Sequence, residues 1–280
     1  MILVRSSYNV IIGGKKSQAH EAVSGMNGND MAALEFDGLC KRFGEHVAVD
    51  RIELVVPAGS FFGLVGPNGA GKTTSLSMAV GLLRPDSGSV RIFGHDVWAD
   101  PVAAKALIGV LPDGLALPDR LTGREILRYL GLLRGLPRDV VEQRAGELLT
   151  VLELDDAETT AVVDYSTGMK KKITLATALL HSPRLLLLDE PFEAVDPVSA
   201  ATIRTILQRF VAGGGSVIFS SHVMTLVEHL CDHLAVLAAG KVVAAGSLDE
   251  VRGGLSLEDA FVGIVGARTD RAEGLSWLAS

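Results

Sequence analysis

Residues 66–74 read GPNGAGKTT, and this Gly-x4-Gly-Lys-Thr spacing falls between an apolar run, SFFGLVG (60–66), and a helical pattern, SLSMAVGLL (75–83). The flanks matter as much as the match. A strand that ends in a glycine-rich turn and then opens a helix presents backbone N–H groups, and the positive end of the helix dipole, to whatever fills the turn. A polyphosphate fits that description. Gly66, Pro67, Asn68, Gly69, Ala70 and Gly71 are expected to curl around it, with Lys72 reaching the β- and γ-phosphates, Thr73 ligating Mg²⁺ and Thr74 completing the loop.

A second apolar run, RLLLLDE (184–190), ends in adjacent carboxylates. Charges at the carboxyl end of a strand mark the crevice in which open α/β sheets bind ligands. Asp189 is placed to hold Mg²⁺ through water, and Glu190 to polarise an attacking water as general base. His222 follows SVIFSS (216–221), another strand pattern, so its imidazole is expected to project into the same crevice and donate to a γ-phosphate.

With 280 residues, 48% hydrophobic and 21% charged, the chain has the composition of a globular protein with a sizeable core. A formal net charge of -7 gives no general attraction for nucleic acid. Cys40 and Cys231 lie far apart without metal-ligand spacing, which points to a reducing compartment and buried thiols. No apolar run reaches the ~20 residues of a membrane span, so a soluble chain is expected. Residues 1–30 carry a short apolar patch and then turn polar, unlike a signal peptide; they read as a loose, disordered extension, with Met31 as an alternative start.

From residue 31 onward, runs rich in Val, Ile and Leu alternate with helical segments, which favours an α/β arrangement around a buried sheet. AALEF (32–36), RIELVV (51–56) and SVRIFG (89–94) read as strands. Between about 114 and 181, TGREILRYLGLLRGL, PRDVVEQRAGELLTVLEL and GMKKKITLATALLH carry helical periodicity with almost no strand signal, an inserted helical unit. Strands return in HLAVLAAGKVVAAG (233–246), and residues 251–280 read as a tail with one short helix, SLEDAFVGIVG (256–266), before a polar end.

The ordered set GPNGAGKTT, helical insertion, YSTGM (165–169), RLLLLDEP, AVDP (194–197) and SSH (220–222) resembles the nucleotide-binding subunit of ABC transporters, single-cassette bacterial exporter ATPases in particular. The likeness covers roughly residues 31–250. It implies a P-loop NTPase, an ABC-type ATPase core carrying an antiparallel β subdomain and an inserted helical subdomain, with ATP and Mg²⁺ bound. It also implies that Phe43 in KRFG stacks on adenine, that Asp113 occupies the Q-loop position near Mg²⁺, that Ser166 and Gly168 belong to the signature, that Asp196 lies in the D-loop and that His222 is the H-loop switch.

Two departures stand out. The signature usually reads Leu-Ser-Gly-Gly-Gln, whereas this chain has Tyr165-Ser166-Thr167-Gly168-Met169; Asp113 replaces a longer neutral glutamine with a short carboxylate, which suits Mg²⁺ through water. The resemblance further implies a head-to-tail homodimer that hydrolyses ATP to drive export through separate transmembrane permease subunits, on the cytoplasmic face of the cell membrane. The alternatives are a soluble ABC-type ATPase acting on nucleic acid or ribosomes, or a regulatory ATP-binding protein with weak hydrolysis. Three consecutive lysines, Lys170 to Lys172, near the start of a helix present a further question, because the dipole disfavours cations there.

Overall fold

The computed structural model describes residues 32–266 except 115 and 116. The expected N-terminal extension and the polar end beyond 266 lie outside the described residues.

Two sheets form. Strands β1 (Ala32–Phe43) and β2 (His46–Pro57) make a long antiparallel hairpin; β4 (Ser87–Ile92) pairs with the other side of β1 and carries the short β5 (His95–Asp96), giving the order β2-β1-β4-β5. This is the antiparallel subdomain. The second sheet contains β3 (Phe61–Val65), β6 (Ile108–Leu111), β7 (Leu185–Leu188), β8 (Ser216–Ser221), β9 (His233–Ala238) and β10 (Lys241–Ser247) in the order β10-β9-β3-β8-β7-β6. All its pairings are parallel except β9 with β10.

The unbroken run LLLL in β7 follows from burial on both faces of a parallel sheet. Leu185 and Leu187 belong to the core shared with β1, β2 and β4, whereas Leu186 and Leu188 belong to the opposite core, under the helices. β3 divides in the same way, with Phe62 and Leu64 on one side and Phe61 and Val65 on the other.

Helix α1 (Lys72–Ala79) follows β3, and α2 (Pro101–Ala106) precedes β6. Between β6 and β7 the described chain is helical: α3 (Gly123–Leu133), α4 (Arg138–Val151) and α5 (Thr167–Leu179), with single 3-10 turns at Asp155–Ala157 and Val162–Asp164. Thr122 and Glu125 start α3 with a reciprocal capping box, which satisfies two backbone donors at once. The buried Tyr165 hydroxyl donates to the Ala157 carbonyl at 3.2 Å and anchors the turn that leads into α5. Helices α6 (Pro197–Ala212), α7 (Met224–Leu230), α8 (Leu248–Arg252) and α9 (Leu257–Val265) complete the fold, and the buried Leu257 joins α9 to the core under the helices. Among the described residues, no helix is long and apolar enough to cross a membrane.

Candidate nucleotide-binding and catalytic site

Parallel pairing of Val65 with Ser221, Leu188 with Phe219, and Leu111 with Leu188 brings four strand ends to one edge of the sheet. The loop at 66–71 leaves from β3, His222 from β8, Asp189 and Glu190 from β7, and Asp113 from β6. Adjacent strand ends thus collect residues far apart in sequence.

The loop at 66–71 turns through left-handed backbone at Gly69 and Gly71. Gly71, the N-cap of α1, has φ 102, and a Cβ there would stand 2.5 Å from the Ala48 carbonyl oxygen. No side chain caps α1. Pro67, Asn68, Gly69 and Thr73 are exposed, Gly71 and Thr74 are half-buried, and Gly66 and Ala70 are buried. Lys72 is only 7% exposed, and its Nζ donates to the carbonyls of Gly66 at 2.7 Å and Pro67 at 3.3 Å. Burial lowers the Lys72 pKa from its ordinary value, against the opposing pull of the Glu190 and Asp189 charges. An uncapped helix start, exposed loop and buried ammonium make a donor set suited to phosphate.

Asp189 is buried, and its N–H donates to Leu111 O at 2.8 Å. The fully buried Ser220 hydroxyl donates to Asp189 Oδ1 at 2.5 Å and accepts from the Glu190 N–H at 2.9 Å. Glu190 itself has φ 44, in the left-handed region. Its Oε1 lies 3.2 Å from His222 Nδ1, and its carbonyl accepts from Lys171 Nζ at 3.0 Å.

Ser166, Gly168 and Asp196 form a second group. Exposed Ser166 is the N-cap of α5 and accepts from the Met169 N–H at 3.2 Å. Asp196 caps α6, accepting from the N–H groups of Val198 at 3.1 Å and Ser199 at 2.9 Å. Hydrogen bonds from Ser199, and then Val198, hold its carboxyl below the usual range. Gly168 sits where the two helix starts meet: a Cβ there would stand 2.6 Å from Asp196 Oδ2. Among the described residues, no hydrogen bond or ion pair ties Phe43 or Asp113 to either group; Asp113 is exposed, and Phe43, at the tip of the β1–β2 hairpin, is 51% exposed with Lys41 Nζ 5.7 Å from its ring centroid.

Sequence reasoning missed Ser220 and left the role of Lys171 open. Alternation along β8 offered one faint signal, since Ser220 and His222 are two residues apart and share a face. Lys171 stood out only as one of three lysines at a helix start, and nothing local pointed to its acceptor, 19 positions away.

A glycine-rich phosphate loop beside a strand-end carboxylate pair, on a mostly parallel sheet with an inserted helical unit, defines a P-loop ATPase. Residues 49–193 match the family described as ABC transporter. The chain is 36% identical to the daunorubicin/doxorubicin resistance ATP-binding protein DrrA of Streptomyces peucetius, over 82% of this chain and 70% of that one. It is also 36% identical to the Nod factor export ATP-binding protein I of Cupriavidus metallidurans, over 79% of this chain and 73% of that one. A solved ATP-binding subunit of an ABC transporter superposes with a TM-score of 0.78 at 29% identity, over 84% of this chain and 100% of that one. The chain belongs to the ABC transporter family as an ATP-binding subunit, and it is an ATPase.

Proposed function

We propose that the chain is the motor subunit of an exporter. Two copies pair head to tail, each ATP lying between the phosphate loop of one chain and the α5 start of the other, so that both interfaces are equivalent. A separate membrane permease converts the closing motion into transport, which places the chain on the cytoplasmic face of the membrane. The division of the site into two groups carries this reading: Lys72, Asp189, Glu190 and His222 gather at the strand ends, while exposed Ser166 heads a different element. The functions for which the relatives are named, drug resistance and Nod factor export, support the direction.

In this reading residues 66–74 wrap the phosphates, Lys72 meets the β- and γ-phosphates and Phe43 stacks on the base. Thr73 would hold Mg²⁺, with Asp189 and Asp113 acting through water; hard oxygen donors suit that ion. When bound, Mg²⁺ neutralises charge on the phosphates. Glu190 orients the attacking water and accepts its proton, His222 holds the Glu190 carboxylate and reaches toward the γ-phosphate, and Asp196 caps α6 beside Gly168. Ser166 and the Gly168 N–H contact the partner chain's γ-phosphate. That contact makes ATP favour the closed pair, since a ligand shifts an equilibrium only by its difference in affinity for the two states.

Glu190→Gln is expected to retain ATP, hydrolyse it poorly and accumulate an ATP-dependent dimer, read by size-exclusion chromatography. Unchanged turnover would sink the general-base role. Tagged full-length chain, recovered from native membranes, should bring down a polytopic membrane protein; recovery with ribosomes instead would favour the soluble alternative.

A further inference from the structure

The three lysines at the start of α5 leave the helix in different directions, and each reaches its own acceptor. Lys170 Nζ donates to Val163 O at 3.2 Å, Lys171 Nζ to Glu190 O at 3.0 Å, and Lys172 Nζ to Glu153 Oε2 at 3.1 Å. The first stays within the turn before α5. The third is buried and joins α5 to the loop after α4, where Glu153 also accepts from Thr202 Oγ1 on α6 at 3.3 Å. The second alone ends on the backbone of the proposed general base.

Glu190 is the place where such a contact has the most to do. A non-glycine residue at φ 44 is strained relative to ordinary backbone and persists only where its surroundings hold it. Ser220 Oγ holds its N–H, and its carbonyl accepts from Lys171 Nζ and from the Glu193 N–H at 3.2 Å. The Ser220 arm comes from the buried sheet and the Glu193 arm from the same loop. An ammonium on a carbonyl is a charge-assisted bond, roughly twice as strong as a neutral one. The Glu190 backbone, held on both sides of its Cα in this way, carries the carboxylate at its 3.2 Å contact with His222.

We propose that Lys171 is a positioning residue for Glu190, and that through it the placement of α5 sets the aim of the carboxylate. The inference rests on the head-to-tail reading above. In such a pair α5 touches the nucleotide bound by the partner chain, whereas Glu190 serves the nucleotide bound by its own chain. A single side chain therefore links engagement at one site to hydrolysis at the other.

Steady-state ATPase kinetics on the full chain test this. Lys171→Met should lower kcat about tenfold to a hundredfold, the scale of a slightly misplaced catalytic group, with KM for ATP within about twofold and the unfolding midpoint retained. Lys171→Arg, which keeps a cationic donor, should recover most of the turnover. Adding Lys171→Met to Glu190→Gln should slow the enzyme no further. Combined with Ser166→Ala, Lys171→Met should give a loss smaller than the product of the two single losses, because both act along one route. Unchanged kcat in Lys171→Met, failure of Lys171→Arg to recover it, or a purely multiplicative loss with Ser166→Ala would each overturn the inference. If the Met variant unfolds, Lys171→Gln keeps a neutral donor and must lie between Arg and wild type on one side and complete loss on the other; wild-type turnover in Gln and loss of turnover in Arg would contradict a charge-assisted hold. Full turnover in Glu190→Gln is a distinct result, and it would refute the general-base reading itself.

Discussion

Ser220 Oγ lies 2.5 Å from Asp189 Oδ1 and 2.9 Å from the Glu190 nitrogen, so one buried hydroxyl fixes two neighbouring acidic residues. The direction of both bonds is determined: the Glu190 N–H can only donate, so the oxygen of Ser220 accepts, and its single hydrogen goes to Asp189. Ser220→Ala leaves a buried donor and a buried acceptor without this partner. A stability loss of about 1–3 kcal/mol is expected in chemical denaturation, together with reduced turnover at nearly unchanged ATP affinity. Wild-type stability and turnover in Ser220→Ala would remove the positioning role.

Ser166 has two tasks that one substitution separates. Its hydroxyl caps α5 through the Met169 N–H, so Ser166→Ala should cost about 1 kcal/mol of stability. In the proposed dimer the same hydroxyl meets the partner's γ-phosphate, so ATP-driven dimerisation should weaken more than ATP binding by the monomer. A binding titration and size-exclusion chromatography, both in the Glu190→Gln background, measure the two quantities. Equal loss in both would contradict a contact made across the pair.

Gly168 is required by crowding. A Cβ added there would meet Asp196 Oδ2 at 2.6 Å and Ser199 Oγ at 2.7 Å, inside normal contact distance. Gly168→Ala should therefore push the starts of α5 and α6 apart, at about 1–3 kcal/mol, the usual range for overpacking. The drop is read from the urea midpoint, and a midpoint equal to wild type would show that the two helix starts part freely.

His181 makes stability depend on pH. Its Nε2 lies 2.8 Å from Ile108 O, Nδ1 is buried without a hydrogen-bond partner among the described residues, and burial, with the nearby Arg134 and Arg144 charges, lowers its pKa from 6.5 to about 4. Above pH 6.5 the ring is neutral in both folded and unfolded chains, and its contribution to stability is fully present. As pH falls from 6.5 toward about 4 the unfolded chain takes up a proton that the folded chain refuses, so up to about 3 kcal/mol is lost. His181→Gln should flatten the pH dependence of the unfolding free energy in that window. A curve of unchanged steepness would exclude His181 as its source.

Much of this was readable along the chain because it is local. The phosphate loop needs its glycines, lysine and threonine within nine consecutive positions, between a strand and a helix. LLLLDE announces a buried strand ending in charge, and the periodicity of 122–181 announces helices. Strand β6, IGVL, was not separated from its surroundings, since four apolar residues carry no period of their own; it forms because β7 offers it a partner. Ser220 looked no different from Ser221, its neighbour in the same strand.

The sequence by itself therefore determined which groups are present and in what order: a glycine-rich loop, a carboxylate pair, a histidine and the helix start at 165–169, in the order of an ABC-type ATPase. Only the tertiary structure decided how these act on one another. The order β3-β8-β7-β6 sets their strand ends side by side, Ser220 reaches across from β8 to both acidic residues, and the three lysines part to three acceptors. Sequence patterns record which face of an element is buried, because that depends on nearest neighbours and period. A hydrogen bond between residues 19 or 31 positions apart depends on how whole elements pack, and no local pattern records it.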